Sequence, residues 1–117
     1  HDGFAEQVRR VLRTALLTGH ASEDEVAAHF SMHSRTLRRH LNECGTSFKQ
    51  LVEQGRYAIA QQLLEVSARE ISEIAAMLEY ADSSAFGRAF KRWSGGVPPS
   101  AWRARGKGAP LGSIDRR

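Results

Sequence analysis

The chain has 117 residues, 41% of them apolar, enough for one or two small cores but not for a large catalytic barrel or a doubly wound sheet. Its 17 Lys and Arg against 13 Asp and Glu leave a formal charge of +4 and a pI near 9.8, a balance that suits an acidic partner such as nucleic acid. A lone cysteine, Cys44, rules out an intramolecular disulfide and a Cys-rich zinc ribbon, and no apolar run approaches the ~18 residues of a membrane span. These features fit a reducing, cytoplasmic setting. No basic-then-apolar leader opens the chain, and because it starts at His1 and not Met, it is expected to be a fragment of a longer protein.

Strand signals are nearly absent, and apolar residues return at three- and four-residue spacing, so an all-α fold of about seven helices is expected. Phe4, Val8, Val11, Leu12, Ala15 and Leu16 form one stripe that stops before Gly19. Ser22 and Glu25 have capping-box spacing ahead of a short helix that buries Val26, Ala27 and Phe30. Ser34 is the expected cap of a third helix with Leu37, Leu41 and Cys44 inward and Gly45 as its stop. Ser47 and Gln50 open a long fourth helix, a candidate connector, with Phe48, Leu51, Val52, Ile59, Leu63 and Val66 along one side. The pattern then restarts. Ile71, Ile74, Ala75 and Leu78 mark a fifth helix, Asp82 or Ser83 caps a sixth with Phe86, Phe90 and Trp93 inward, and Pro99 begins a short seventh running through Arg103. The expected organisation is a first helix-turn-helix unit over 1–46, a linker helix over 47–66, a second unit over 67–104, and a mobile Gly- and Arg-rich tail over 105–117.

The restart is an internal repeat. Val26-Ala27-Ala28-His29-Phe30 lies over Ile74-Ala75-Ala76-Met77-Leu78, and Leu37-Arg38-Arg39-His40-Leu41 over Phe86-Gly87-Arg88-Ala89-Phe90, with one extra residue in the second turn. Small alanines let the two helices of each unit approach closely, and a short polar turn sets their crossing, as a helix-turn-helix requires. At about 100° per residue, Arg35, Arg38, Arg39 and Asn42 fall opposite Leu37, Leu41 and Cys44. The corresponding outward set in helix six is Ser84, Gly87, Arg88 and Lys91, and neither set contains an acid. A helix fits the major groove, where Arg pairs bidentately with guanine and Asn with adenine. A basic helix face by itself is usually a solvated face. Its repetition in both copies is what favours DNA reading over the alternative, a module docking an acidic protein such as a polymerase subunit.

Other chemistry finds little support. His29 and His33, and His40 and Cys44, are four residues apart, a spacing that can bind zinc, but the first pair straddles the expected turn and His40 points sideways. Gly-rich phosphate loops and hydrolase elbows are lacking, so neither a cofactor nor an enzymatic activity is expected.

Residues from about Ser22 to Arg103 resemble the C-terminal domain of the AraC/XylS family of bacterial transcription regulators. The resemblance is carried by Arg35-Thr36-Leu37-Arg38-Arg39, Gly45-Thr46-Ser47-Phe48, Arg56, Ala60 and Leu63-Leu64. It continues through Ile71-Ser72-Glu73-Ile74-Ala75, the run Tyr80 to Trp93, and Val97-Pro98-Pro99-Ser100-Ala101-Trp102-Arg103. It implies seven helices in two subdomains joined by the fourth, with helices three and six as recognition helices. Carried over by position, the base contacts are Arg35, Arg38, Arg39, Ser84, Ala85 and Arg88, while Ser34, Thr36, Asn42, Ser83 and Lys91 are assigned to the DNA backbone. The implied partners are double-stranded DNA, RNA polymerase, and an effector-responsive N-terminal domain outside this chain, in a nucleoid-associated, cytoplasmic setting without a membrane. Departures from the family pattern are Gly87 in place of the usual Ser, an extra residue in Gly95-Gly96, and Glu70 where a Ser or Thr cap is common.

Overall fold

A computed structural model describes residues 2–108, and over these it has seven helices and no strand. They are α1 (Asp2–Thr18), α2 (Glu23–His29), α3 (Ser34–Glu43), α4 (Phe48–Val66), α5 (Ile71–Met77), α6 (Ser83–Ser94) and α7 (Pro99–Gly108). No helix among the described residues is long and apolar enough to cross a membrane. The chain divides into two compact units that meet inside α4, between Arg56 and Tyr57.

In the first unit α1 buries Ala5, Val8, Leu12, Ala15 and Leu16, while Phe4 and Val11 of the expected stripe are only half-buried. The other buried apolar residues of this unit are Val26 and Ala27 of α2 and Leu37 and Leu41 of α3, two helices that pack on α1, and Leu51 of α4. Phe4 sits edge-on to Phe30, with ring centroids 5.3 Å apart, and 5.5 Å from the His40 ring. Gly55 stands where α4 passes α1, and a Cβ built there would come within 2.7 Å of Leu16 Cδ1. Helix α2 starts with the full capping box: the Glu25 N–H donates to Ser22 Oγ at 3.1 Å and the Ser22 N–H donates to Glu25 Oε1 at 3.2 Å.

The second unit closes on a core of Ala60, Leu64, Ile74, Ala75, Leu78, Phe86 and Phe90, with Tyr57, Ile59, Leu63, Trp93 and Trp102 packed around it. Fully burying a side chain such as these phenylalanines or leucines is worth ~1.5–3 kcal/mol each, so this cluster dominates the unit's stability. The α6 helix ends on Gly95 and Gly96, both at positive φ (79° and 113°), with the Gly96 N–H donating to Lys91 O at 2.7 Å. The extra glycine is therefore absorbed in a tight left-handed turn. Next, Arg103 of α7 clasps the end of α4: its guanidinium donates to the carbonyls of Leu64, Leu63 and Ser67 at 3.1, 3.4 and 3.2 Å. Trp102 Nε1 adds a bond to Glu65 Oε2 at 3.0 Å. One fork of donors thus reaches three carbonyls at and just past the end of α4, of which Leu63 O also accepts the Ser67 N–H and hydroxyl.

Several expectations need correction. The cap of α3 is the backbone position His33, with no side-chain cap bond, and Ser34 is already the first helical residue. In α4 the buried positions are Leu51, Ala60 and Leu64, whereas Val66 is 73% exposed, because it lies two residues, about 200°, from Leu64. The final helix runs past Arg103 to Gly108, so residues 105–108 of the expected tail are helical, since the Arg103 clasp lies midway along α7 and not at its end. The rest of that tail falls outside the described residues.

Candidate nucleic-acid interface

The two turns that aim α3 and α6 have the same backbone construction. After α2, Ser31 takes φ 58°, its N–H donates to Ala28 O at 2.9 Å, and the Met32 N–H donates to Ala27 O at 3.0 Å. After α5, Glu79 takes φ 69°, its N–H donates to Ala76 O at 3.0 Å, and the Tyr80 N–H donates to Ala75 O at 2.9 Å. Each is the two-bond ending in which a left-handed residue closes a helix, here without the usual glycine. Left-handed backbone costs an ordinary residue ~1–2 kcal/mol, and it is retained at both equivalent positions. Buried Val26 and Ala27 match buried Ile74 and Ala75, so both turns leave the same close-packed helix pair.

The turns differ only further on. Residues 30–33 separate α2 from α3, whereas 78–82 separate α5 from α6. The added residue brings Asp82 to the cap, where its Oδ1 accepts the Ala85 N–H at 2.8 Å. At the second helix start, Glu73 Oε1 accepts the Glu70 N–H at 2.9 Å, so α5 begins with a bonded cap without a Ser or Thr at that place.

On α3 the side chains of Arg35, Arg38, Arg39 and Asn42 are exposed, and Ser34 and Thr36 are half-buried beside them. His33, Ser34, Arg35, Thr36, Arg38 and Arg39 together line one shallow recess. On α6, Ser83, Ser84, Arg88 and Lys91 are exposed while Ala85 is half-buried, able to offer only a methyl group. Neither helix has an acid in its first turn. At α3, whose cap has no side-chain bond, the first backbone N–H groups are left to an anionic partner, whereas at α6 the Asp82 carboxylate already takes the Ala85 N–H. Phe86 and Phe90 are wholly buried and Trp93 is packed on them, so these aromatics are core and not a stacking platform.

One residue of the site is missed by the helical wheel. Arg38 Nη1 donates to Glu23 Oε1 at 2.7 Å, an ion pair from the first residue of α2 to the exposed face of α3. The signal was available in the repeat: Glu23 corresponds to Ile71 and Arg38 to Gly87, so the acid and the arginine are both missing from the second copy. Glu25, by contrast, serves α2 itself. His20 Nδ1 lies 2.9 Å from its Oε2, and the hydrogen bonds from His20 and then Ser22 hold its carboxyl below the usual carboxylate value.

Among the described residues no group of three or more His, Cys, Asp and Glu could hold a metal ion. His29 packs edge-on to Phe30 at 5.2 Å, His40 lies against Phe4, and Cys44 is half-buried at the end of α3.

Comparison with known proteins supplies an independent view. A family model described as a helix-turn-helix domain matches residues 26–105. An uncharacterized HTH-type transcriptional regulator of Mycobacterium tuberculosis is 43% identical over 82 residues, covering 70% of this chain and 24% of that protein. The C-terminal domain of AraT, a response regulator from Geobacillus stearothermophilus, superposes with a TM-score of 0.71 at 27% identity, covering 86% of this chain and 83% of that one. A transcriptional regulator of Chromobacterium violaceum, described among AraC-type DNA-binding domain-containing proteins, shares the fold with a TM-score of 0.71 at 20% identity over 90% and 96% of the two chains. The chain spans about a quarter of the length of the first curated relatives it matches, 24% of each.

Proposed function

This chain belongs to the AraC-type helix-turn-helix family of DNA-binding transcription regulators, which act by binding DNA and not by catalysis, and we propose that it reads duplex DNA by inserting α3 and α6 into major grooves. In this reading Arg35, Arg38 and Arg39 of α3 and Ser84, Ala85 and Arg88 of α6 meet base edges. Ser34, Thr36, Asn42, Ser83 and Lys91 hold the phosphate backbone. The observation that supports it is the pair of equal left-handed turns, each leading into a helix whose first turn carries no acid.

The two readers are unequal. Helix α3 exposes Arg35, Arg38 and Arg39 along its first turns, whereas α6 exposes Ser84 and then Arg88, with Lys91 and Arg92 in its last turn. A bidentate arginine discriminates guanine by ~1–3 kcal/mol, while a lysine on a phosphate adds affinity with little base preference. Because the units follow one another in a single chain, the bound site is an asymmetric pair of short elements about one helical turn apart, ~34 Å. The parent protein carries a further, effector-responsive N-terminal domain and works at the nucleoid in the cytoplasm, where the DNA-bound regulator also touches RNA polymerase. Support for that wider setting comes from the relatives, which are named transcriptional regulators and are several times longer than the matched part.

The test compares variants on one duplex set. Arg39→Ala should relax preference at particular base pairs, and Lys91→Ala should weaken all sequences alike and lower the salt slope by about one unit. Full preference in Arg39→Ala, together with its loss in Arg88→Ala, would make α6 and not α3 the dominant reader. Binding that follows acidic proteins but shows no duplex preference would favour a protein-docking module instead.

A further inference from the structure

The Glu23–Arg38 pair is not needed to build the helix-turn-helix. The crossing of α2 and α3 is set by buried Val26, Ala27, Leu37 and Leu41 and by the left-handed turn at Ser31. The second unit makes the same turn at Glu79 with Ile71 and Gly87 in the two equivalent places. Nor is Gly87 demanded by crowding, since a Cβ there would meet nothing within 4 Å. A surface pair with side chains 55% and 28% exposed also contributes little stability by itself. Acid and arginine are therefore present together in one copy and absent together from the other, on a face where no packing requirement explains them.

Their geometry suggests what they do. The carboxylate takes Nη1 of Arg38, and the guanidinium is a planar fork with five N–H donors. Holding it at one corner leaves an edge of the fork directed by the protein, where a long exposed arginine would otherwise sample many rotamers. A second consequence concerns charge: Glu23 stands at the edge of an interface built for phosphates, where an uncompensated carboxylate repels DNA. Arg38 neutralises it.

We propose that Glu23 is a positioning residue for sequence reading: it orients the Arg38 fork toward one base pair and couples the discrimination there to an intact Glu23–Arg38 pair. This rests on the proposal that α3 enters the major groove. Glu23 lowers general affinity slightly and raises discrimination. A purely structural bridge would raise both or neither.

The test uses the whole chain on the best duplex selected from a random pool, and on the set of its single-base-pair variants. For the wild-type chain, Arg38→Ala should erase preference at one base pair, and Arg38→Lys, which keeps the charge but not the fork, should erase it at the same place. Glu23→Gln should reduce discrimination at that same base pair by about fivefold or more, within the range a bidentate contact spans. Its affinity for a scrambled duplex should be unchanged or higher. Placed on Arg38→Ala, the Glu23→Gln change should have no further effect on discrimination. Circular dichroism melting of each variant separates these effects from loss of fold. Full discrimination in Glu23→Gln, or equal loss on selected and scrambled duplexes, overturns the positioning role while leaving groove reading by α3 intact. A wild-type chain that prefers no sequence overturns both.

Discussion

The same substitution, Gly→Ala in the interior of a helix, should have opposite effects at two places in this chain. At Gly87 in α6 an added Cβ meets nothing within 4 Å, so only the intrinsic preference of the helix counts, and Gly87→Ala should stabilise by ~0.5–1 kcal/mol. At Gly55 in α4 the Cβ would sit 2.7 Å from Leu16 Cδ1, closer than carbon atoms approach, and Leu16 is 6% exposed in the α1 stripe. Overpacking of that kind costs ~1–3 kcal/mol, which exceeds the ~1 kcal/mol gained in propensity. Gly55→Ala should therefore destabilise by up to ~2 kcal/mol. For a domain of this size each ~1 kcal/mol moves the melting temperature by roughly 4–8 °C, readable by far-ultraviolet circular dichroism. Both tryptophans, Trp93 and Trp102, lie in the second unit, so their fluorescence follows the Gly87 variant directly. Leu16→Ala supplies the cycle: with Leu16 truncated, Gly55→Ala should regain its propensity benefit, giving a coupling of ~1–3 kcal/mol. A Gly55→Ala protein as stabilised as Gly87→Ala, with no coupling to Leu16, would refute the close approach of α1 and α4.

Further outcomes follow from the turns and caps. Ser31→Gly and Glu79→Gly should each stabilise the chain by about 1 kcal/mol by relieving left-handed backbone, as measured by denaturant midpoint at constant slope. Asp82→Ala removes the bond to the Ala85 N–H and should cost ~0.5–2 kcal/mol, whereas His33→Ser, at a cap with no side-chain bond, should gain a fraction of that. Glu25 is held below its ordinary value, so its ionised form favours folding above the usual carboxylate range, and that contribution is lost as the pH falls through the lowered value. Glu25→Gln should therefore be less stable than wild type at neutral pH and converge with it in acid; parallel acid-unfolding curves would contradict this.

Much of the architecture is legible in the residues because each signal is local. Helical period and the Ser22–Glu25 box each span a few positions, and the structure has both; of each repeated alanine pair it buries only the first, Ala27 and Ala75, and leaves Ala28 and Ala76 exposed. What escaped depends on partners far apart in the chain. Val66 fits an apolar stripe by spacing, but the face of α4 that is buried is set by what packs on it, and Leu64 and Ala60 win. Helix α7 runs five residues past Arg103, to Gly108, although Gly106 and Gly108 disfavour a helix locally, and the Arg103 clasp that ties it to α4 joins residues 39 and 40 positions apart. Ser34 has a better capping side chain than His33, yet the shorter first turn leaves His33 at the cap, while one more residue in the second turn puts Asp82 there. The exposed faces of α3 and α6 were readable, but the Glu23 hold on Arg38 crosses fifteen residues and shows in the sequence only as a difference between repeats.

The central claim is sequence-selective reading of duplex DNA, and its most direct test is a titration of this chain against a selected duplex and its scrambled counterpart over a range of salt. The account predicts that log K falls linearly with log salt, by about 0.9 per phosphate neutralised, while the selected duplex remains favoured throughout. Equal affinity for both duplexes, or a titration flat in salt, would contradict it.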